Sequence, residues 1–373
     1  MVVLVALVLA LLLLATAMSI YINKLIVRAM RESGINTARK RNRYIARAVS
    51  IIAGIAGINM FSFSAVAILH FLLIAAVVEL FNLIIKKDMR VWKKIYAFSI
   101  IPLICTTVIM IFGYIKLHNI QKTEYTVYTE KDIRPEGYRI ALIADVHYGV
   151  SVTGDEFLAK CTEINRQNVD MVILCGDIVD DNTTKNQMQE VFSALSSIKS
   201  EFGTYYVYGN HDRQYYSHDR NYSEKDLIDV MEKNNITILC DDTLVLNDEF
   251  VIVGREDYSA QLMSGKEKRI PLNNLLEGVS PDSFILTLDH QPRGYKENTS
   301  AGTDLILSGH THGGQIWPVN IIDNIFKLNE ANYGLVQLDK GSSAIVTSGF
   351  AGWNYPIKTA APAEYVIIDV KNK

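Results

Sequence analysis

Cysteine is scarce in this sequence, and no two cysteines have the spacing of a metal-binding or redox pair. The four cysteines are Cys105, Cys161, Cys175 and Cys240, and no CxxC motif occurs. This absence excludes a zinc knuckle and a dithiol redox site as the basis of function. We expect these cysteines to be small buried side chains, with a single facultative disulfide as the alternative.

Acidic residues are nearly absent from the first third of the chain. Up to Lys122 there are 15 basic and 3 acidic residues, a net charge of +12, whereas the remainder has 22 basic and 37 acidic residues, a net charge of −15. The acidic excess of the second part argues against nucleic acid as a partner, because such binding depends on Lys and Arg side chains that neutralise phosphates.

The basic region consists mainly of long apolar stretches that predict transmembrane helices. Val2 to Ile22 contains no charged residue, and it is long enough to cross a hydrocarbon core of about 30 Å. The alternative is a signal peptide cleaved near Ala15–Ala17, but no basic segment precedes the apolar run. We predict a transmembrane region over residues 1–117, with spans at about 2–22, 46–62, 65–85 and 95–117.

Basic residues are concentrated between the predicted spans. Residues 23–47 carry eight basic side chains against Glu32 alone, and a second basic cluster lies at residues 86–94. The positive-inside rule makes both clusters cytoplasmic. Four crossings then place everything after Leu117 outside the cytoplasm. The sequence therefore predicts a multi-pass protein of the cell membrane in which the part of the chain after Leu117 is extracytoplasmic.

The second part of the chain has the pattern of an α/β domain. Residues 118–137 are polar and are interpreted as a linker, with an edge strand as the alternative. From Tyr138 onward, short apolar runs alternate with amphipathic stretches such as 153–168 and 186–202. This alternation is typical of α/β folds, so we predict one such domain over residues 138–373.

Five of the apolar runs end in side chains that can bind metal ions. The runs are ALIADVH, MVILCGDIVD, TYYVYGNHD, FILTLDH and LILSGHTH. Carboxylate, amide and imidazole groups from five strand ends are enough ligands for two divalent ions that share one carboxylate. The candidate metal ligands are Asp145, His147, Asp177, Asn210, His290, His310 and His312.

The order of these motifs resembles the calcineurin-like metallophosphoesterase superfamily. DxH, GDxxD, GNHD, an isolated His and GHxH follow one another between about residues 138 and 370. The resemblance implies a four-layer α/β/β/α sandwich, here preceded by a bundle of about four transmembrane helices. It also implies that the site lies at one end of the strands and that Asp177 is the carboxylate shared by the two ions.

Three further residues are assigned to this site. His211 is expected to be the general acid or the donor to the transition state, and Asp212 beside it could set its tautomer and raise its pKa. Asp180 is expected to orient a metal ligand by accepting a hydrogen bond, with a helix N-cap as the alternative.

Two stretches extend the resemblance to a membrane-associated branch of the superfamily. The GHTHGGQ motif and residues 349–365 are similar to transmembrane metallophosphoesterases and UDP-diacylglucosamine diphosphatase-like enzymes. That branch commonly has an Arg shortly after the proline of the second stretch. Lys358 stands there in this chain and would offer a substrate phosphate only a point charge. Residues 316–326 are interpreted as core, or alternatively as an apolar wall for a lipid substrate or a membrane-facing rim.

These features predict a membrane-anchored phosphohydrolase that cleaves a phosphodiester or a pyrophosphate. The substrate would be an envelope lipid, a lipid-linked precursor or a nucleotide-sugar, attacked by a hydroxide that bridges two divalent ions. Mn, Fe, Zn, Co and Ni all suit this ligand set. Expected partners are a phosphorylated small molecule or lipid and the membrane lipids. The alternative is a catalytically inactive metal-binding scaffold or a membrane assembly protein.

Overall fold

The computed structural model describes residues 2–59, 62–84, 90–265 and 268–373. The chain divides into two compact units, Met1–Gly113 and Tyr114–Lys373. The first is helical and the second contains the β-sheets.

The described part of the first unit is formed by helices. They are α1 (Val2–Glu32), α2 (Lys40–Ile58), α3 (Phe63–Ile84), α4 (Arg90–Ala97) and the greater part of α5 (Ile100–His118). Among the described residues, three segments are long and apolar enough to cross a membrane: Val8–Glu32, Phe63–Ile84 and Ile100–His118. They overlap the first, third and fourth predicted spans.

The second predicted span coincides with α2, which differs from the other three. Four basic residues, Lys40, Arg41, Arg43 and Arg47, lie in its first half, so only its second half is apolar. The end of this predicted span includes residues 60 and 61, and the third span ends at residue 85. These positions, together with Lys86 and Lys87 of the second basic cluster, lie outside the described residues.

Helix α2 packs closely against α1 through small residues. The buried face of α2 consists of Ala46, Ser50, Gly54 and Gly57. A Cβ added at Gly54 would lie 2.0 Å from the Ser19 hydroxyl oxygen, so the two backbones approach as closely as a glycine allows. Contacts through small residues at a spacing of four are typical of helix pairs in membranes.

Helices α1 and α3 run in the same direction. Met18 and Leu25 of α1 pack in one cluster with Leu72 and Ala75 of α3. Further along both helices, Arg28 Nη1 lies 2.7 Å and Lys24 Nζ 2.6 Å from the Glu79 carboxylate. Residues later in α1 therefore contact residues later in α3.

The described part of the second unit contains two six-stranded mixed sheets, which confirms the predicted α/β class. The first sheet has the order β1 (Gln121–Thr129), β12 (Glu364–Asn372), β2 (Tyr138–Ile143), β3 (Met171–Cys175), β4 (Thr204–Val207) and β5 (Ile236–Ile238). The second has the order β10 (Gly334–Gln337), β11 (Ser343–Val346), β9 (Leu305–Ser308), β8 (Phe284–Leu288), β7 (Phe250–Gly254) and β6 (Asp242–Asn247).

Helices connect most of these strands. They are α6 (Gly154–Asn165), α7 (Lys185–Leu195), α8 (Glu224–Lys233), α9 (Tyr258–Ser264), α10 (Leu272–Leu275), α11 (Tyr295–Ala301) and α12 (Val319–Phe326), with 3-10 turns at His312–Gly314 and Asp339–Gly341. Helices α7 and α8 each begin with a capping box, at Thr184 and Ser223. Such a box satisfies backbone N–H groups that the first turn leaves without partners.

The two sheets share one apolar core. Leu142 of the first sheet lies in the same buried cluster as Phe250 and Leu286 of the second. The other face of the first sheet packs against Phe157 of α6 and Phe192 of α7. This packing holds the ends of the parallel strands of both sheets in place.

Within the stretch interpreted as a linker, residues 121–129 form an edge strand, which was the alternative interpretation. Strand β1 pairs in parallel with β12 over its whole length, from Gln121 opposite Glu364 to Thr129 opposite Asn372. Its side chains are mostly exposed or half-buried, as expected at the edge of a sheet. The polar composition of this stretch therefore reflects an edge position rather than a flexible connection.

Candidate metal centre

Every predicted metal ligand lies just beyond the carboxyl end of a parallel strand. In the first sheet β2, β3 and β4 are parallel neighbours, and they are followed by Asp145 with His147, by Asp177 and by Asn210. In the second sheet β8 and β9 are parallel neighbours, followed by His290 and by His310 with His312. Because parallel strands end at one edge of a sheet, the fold brings these side chains together.

The backbone of the site has an unusual conformation. Five of the predicted ligands have positive φ: Asp145 (53°), His147 (43°), Asp177 (52°), His310 (72°) and His312 (51°). Residues with a side chain avoid this left-handed region, and its cost is tolerated mainly at functional sites.

Gly209 directly precedes Asn210, and Gly309 directly precedes His310. Both glycines leave room for a metal-binding carboxylate from another strand end. A Cβ added at Gly209 would lie 2.2 Å from the Asp177 carboxylate, and one added at Gly309 would lie 2.4 Å from the Asp145 carboxylate. Real Cβ atoms do not come so close to an oxygen. The GN and GH motifs therefore need glycine for the close approach of neighbouring carboxylates.

One group of ligands consists of Asp145, His147 and His312, all buried. His147 Nδ1 lies 2.9 Å from the Asp180 carboxylate, so in the neutral ring this atom carries the proton and Nε2 has a free lone pair. His147 Nε2 faces His312 Nε2 at 3.1 Å, and His312 Nε2 lies 3.6 Å from Asp145 Oδ1. Two nitrogen lone pairs that face each other at 3.1 Å repel. A cation bound by both nitrogens would remove this repulsion.

The other group consists of Asp177, His290 and His310. His290 Nδ1 donates to the Cys175 carbonyl at 2.8 Å, and its buried Nε2 lies 3.1 Å from Asp177 Oδ2. Asn210 joins this group, since its Oδ1 lies 2.8 Å from His310 Nδ1. Nitrogen and oxygen donors of this kind suit a borderline divalent ion.

Asp177 contacts ligands of both groups. Its Oδ2 lies 3.1 Å from His290 Nε2 and 3.8 Å from His147 Nε2. Burial raises the pKa of this carboxyl, but the neighbouring His290 and His211 outweigh burial and hold the pKa well below its usual range. Asp177 is therefore ionised and faces both groups of ligands.

His211 is oriented by a residue that the sequence analysis did not single out. Its Nδ1 hydrogen-bonds to the Asp181 carboxylate, while its backbone N–H donates to Asp177 Oδ1 at 2.8 Å. Burial lowers the pKa of the His211 ring, but Asp177 and Asp181 raise it to about 9. Asp181 could have been found from the sequence, because it directly follows Asp180, the last residue of the GDIVD motif.

The prediction that Asp212 acts on His211 is wrong. The Asp212 carboxylate accepts hydrogen bonds from the backbone N–H groups of Gly209 at 2.6 Å, Asp177 at 2.8 Å and Ile178 at 2.9 Å. It is fully buried and it organises the GD and GN loops. Asp180, by contrast, contacts His147, as expected of a residue that orients a ligand.

Comparison with known proteins agrees with this geometry. Residues 138–314 match the model of the calcineurin-like phosphoesterase family. Residues 138–314 are thus similar to calcineurin-like phosphoesterases, and we call this region the phosphoesterase domain.

Relatives of the phosphoesterase domain include both bacterial and animal proteins. An uncharacterized metallophosphoesterase of Campylobacter jejuni is 32% identical over 244 residues, covering 63% of this chain and 59% of the relative. The transmembrane protein with metallophosphoesterase domain of Danio rerio is 26% identical over 285 residues, covering 73% of this chain and 62% of the relative. The chain thus spans about three fifths of the length of these curated relatives.

Solved structures are also similar to the phosphoesterase domain. A dimetal phosphatase from Danio rerio aligns with a TM-score of 0.40 and 14% identity, covering 58% of this chain and 88% of that structure.

Lys358 lies inside the phosphoesterase domain rather than on its surface. The side chain is completely buried, and its amino group donates to the backbone carbonyls of Ser348, Gly349 and Ala351. Burial lowers the pKa of this amino group to about 7. The prediction that Lys358 contacts a substrate is therefore wrong, because its donors are directed into the fold, where they support the 348–351 loop.

Most of the stretch after the GHTHGGQ motif is exposed, with Ile316 and Asp323 buried, which corrects the interpretation of residues 316–326 as core. Helix α12 presents Ile322, Ile325 and Phe326 to solvent, with exposures of 44%, 68% and 70%. The Gln315 side chain that precedes it is held by the backbone of Trp353 and Ile357. The Trp353 ring in turn lies 5.4 Å from the ring of His211.

Proposed function

We propose that this chain is a membrane-anchored phosphohydrolase with two divalent metal ions that cleaves a phosphodiester or pyrophosphate bond. The observation that carries the proposal is the position of Asp177, whose Oδ2 faces His290 of one ligand group and His147 of the other. A carboxylate with two oxygens can serve two ions at once. The core shared by the two sheets supports the four-layer arrangement that the resemblance implies.

Two sets of residues would hold the ions. Asp145, His147 and His312 form one set, and Asn210, His290 and His310 form the other, with Asp177 common to both. When bound, divalent ions supply an activated water and positive charge for the oxygens of the phosphoryl group. Asp180 holds the His147 ring in the tautomer that leaves Nε2 free, as hydrogen-bonded carboxylates commonly do for metal ligands.

His211 is the residue we assign to the leaving group. Its Nδ1 is engaged by Asp181, so Nε2 is the nitrogen left to interact with a substrate. Asp181, which hydrogen-bonds to Nδ1, favours the protonated form of the ring. A protonated imidazole can donate to the departing oxygen, which makes expulsion of a poor leaving group easier.

A substrate with a lipid part is supported by helix α12. Its exposed apolar side chains are Ile322, Ile325 and Phe326. In the sequence they come shortly after the motif that contains His310 and His312. An exposed apolar patch of this kind commonly marks a site for an apolar ligand or a membrane. We therefore favour an envelope lipid or lipid-linked precursor over a nucleotide-sugar.

The helical unit supports a multi-pass membrane protein. Since α1 and α3 run in the same direction, the chain between them has to cross back, and α2 with its small-residue contacts to α1 is the segment available for this. Helix α5 would then be the fourth crossing. With the basic residues of 23–47 in the cytoplasm, the phosphoesterase domain would be extracytoplasmic.

The test is hydrolysis by the full chain in mild detergent. Wild type with added Mn²⁺ should hydrolyse at least one chromogenic diester or a pyrophosphate-linked lipid, and Asp177→Asn should abolish turnover. Asp229→Asn is the matched control, because Asp229 is exposed and pairs with Lys225 on α8. Equal rates in wild type and Asp177→Asn would contradict the proposal, as would a wild type that binds metal and has no activity.

A further inference from the structure

The helical unit contains a cavity lined by basic and aromatic side chains. It lies between the later parts of α1 and α3 and helix α4, and its volume is about 730 Å³. Binding sites for small ligands commonly have volumes of about 300–1,000 Å³. The side chains that characterise this cavity are Lys24, Arg28, Arg31, Trp92, Lys93 and Tyr96.

The cavity has an excess of positive charge. Glu79 neutralises part of it through ion pairs with Lys24 and Arg28, and Glu32 also lines the cavity. Arg31 and Lys93 are exposed, and among the described residues neither has a carboxylate within ion-pair distance. The uncompensated charge at these two positions attracts an anion.

The walls of the cavity are tied together by specific contacts. Trp92 Nε1 donates to Asn82 Oδ1 at 2.9 Å, which connects α4 to α3. Arg28 Nη2 donates to the Ser99 hydroxyl at 3.1 Å, and the guanidinium lies 3.8 Å from the centre of the Tyr96 ring. Since these contacts fix α1, α3 and α4 relative to one another, the cavity is preformed.

Helix α4 has the composition of a helix at a membrane surface. Its eight residues, Arg90–Ala97, include Trp92 and Tyr96 together with three basic side chains. Aromatic and basic residues concentrate where the hydrocarbon core meets water. The cavity therefore lies where the apolar helices α1 and α3 approach the level of lipid headgroups.

We infer that this cavity binds the phosphate-bearing headgroup of an anionic membrane lipid. Arg31 offers a planar pair of donors to phosphate oxygens and Lys93 a mobile point charge. Apolar side chains of α3, such as Leu83 (78% exposed) and Leu80 (64% exposed), can contact the acyl chains of the same lipid. Basic pockets between membrane helices bind anionic headgroups in this way.

The inference depends on membrane insertion of the helical unit but not on catalysis. All the lining residues lie in Met1–Gly113, whereas the residues assigned to hydrolysis lie in Tyr114–Lys373. Lipid binding and phosphoester hydrolysis can therefore fail independently of each other.

Native mass spectrometry of the full chain in a nonionic detergent tests the inference. Short-chain phosphatidylglycerol, phosphatidylcholine and inorganic phosphate are the probes. We expect wild type to retain one phosphatidylglycerol in preference to phosphatidylcholine. The double variant R31Q/K93Q should bind it about tenfold more weakly. The double variant R41Q/R43Q is the matched control, because it removes two exposed basic residues of α2 outside the cavity.

Three results would overturn the inference. Equal weakening in R31Q/K93Q and R41Q/R43Q would show general attraction to a basic surface rather than a site. Displacement of the lipid by inorganic phosphate at equal concentration would assign the cavity to a free anion. Equal retention of phosphatidylcholine would show that the headgroup charge is not recognised. Helix content by circular dichroism checks the folding of both variants. Lipid retention by a wild type that lacks phosphoesterase activity would leave this inference standing and contradict only the proposed function.

Discussion

His290 Nε2 lies 3.1 Å from Asp177 Oδ2, although the hydrogen bond from Nδ1 to the Cys175 carbonyl takes up the one proton of the neutral ring. A ring nitrogen and a carboxylate oxygen at this distance need a positive charge between them, which a second proton on the His290 ring or a bound cation would supply. The same Asp177 oxygen lies 3.8 Å from His147 Nε2 in the other ligand group. A change at Asp177 should therefore affect both groups.

Replacement of His211 by Gln should slow hydrolysis in a way that depends on the leaving group. General acid catalysis typically contributes a factor of about 100 or more, so we expect a kcat loss of that size for a diester with an alkyl alcohol leaving group. A nitrophenol leaving group needs little protonation and should show a much smaller loss. Equal losses with both substrates would contradict the assigned role of His211.

Replacement of Asp181 by Asn and of Asp212 by Asn should have different effects on kcat, metal content and thermal stability. Asp181 contacts the His211 ring, so Asp181→Asn should lower kcat about tenfold or more while metal content remains that of wild type. Asp212 binds the backbone of both the GD and GN loops, so Asp212→Asn should reduce metal content and thermal stability together. A kcat loss confined to Asp212→Asn would restore the role that sequence analysis assigned to it.

Replacement of Gly309 by Ala should damage the metal site. The new Cβ would lie 2.4 Å from Asp145 Oδ2, so either the carboxylate or the strand end has to move. Overpacking of this kind commonly costs about 1–3 kcal/mol, and here it displaces a metal ligand. Metal content measured by plasma mass spectrometry should fall, and activity should fall with it. Full metal content in Gly309→Ala would show that the approach of Gly309 to Asp145 is not needed for binding.

Replacement of Lys358 by Met should affect stability rather than substrate binding. The substitution removes the donor to three backbone carbonyls, and a buried acceptor without a partner costs about 1–3 kcal/mol. We therefore expect a lower thermal midpoint for the phosphoesterase domain, whereas KM should change less than about twofold because the side chain is fully buried. A large increase in KM at unchanged stability would instead indicate a contact with substrate.

The convergence of the predicted metal ligands could be foreseen from sequence because each of these residues follows an apolar run. A strand end fixes the position of the next few residues, so Asp145, Asp177 and His310 converge once the strands are parallel neighbours. The positive φ of these residues leaves no mark in the local composition, so the sequence could not reveal it.

The orientation of individual side chains was harder to predict. Asp181 and Asp212 both lie close to His211 in the fold, and only the direction of each carboxylate decides which one contacts the ring. Lys358 looked like a phosphate-binding residue because it stands where the similar membrane-associated branch commonly has an Arg, and because charged side chains are rarely buried. Helix α12 looked like core because its apolar side chains suit burial as well as contact with a membrane.

The most direct test of the account is the number of metal ions bound by the full chain. Wild type, purified after growth with manganese or zinc and measured by plasma mass spectrometry, should contain two divalent ions per chain, and a strong chelator should remove both ions and all activity. Asp177→Asn should lose both ions, while Asp229→Asn should keep them. One ion per chain in wild type, or two ions retained in Asp177→Asn, would contradict a shared carboxylate at the centre of this site.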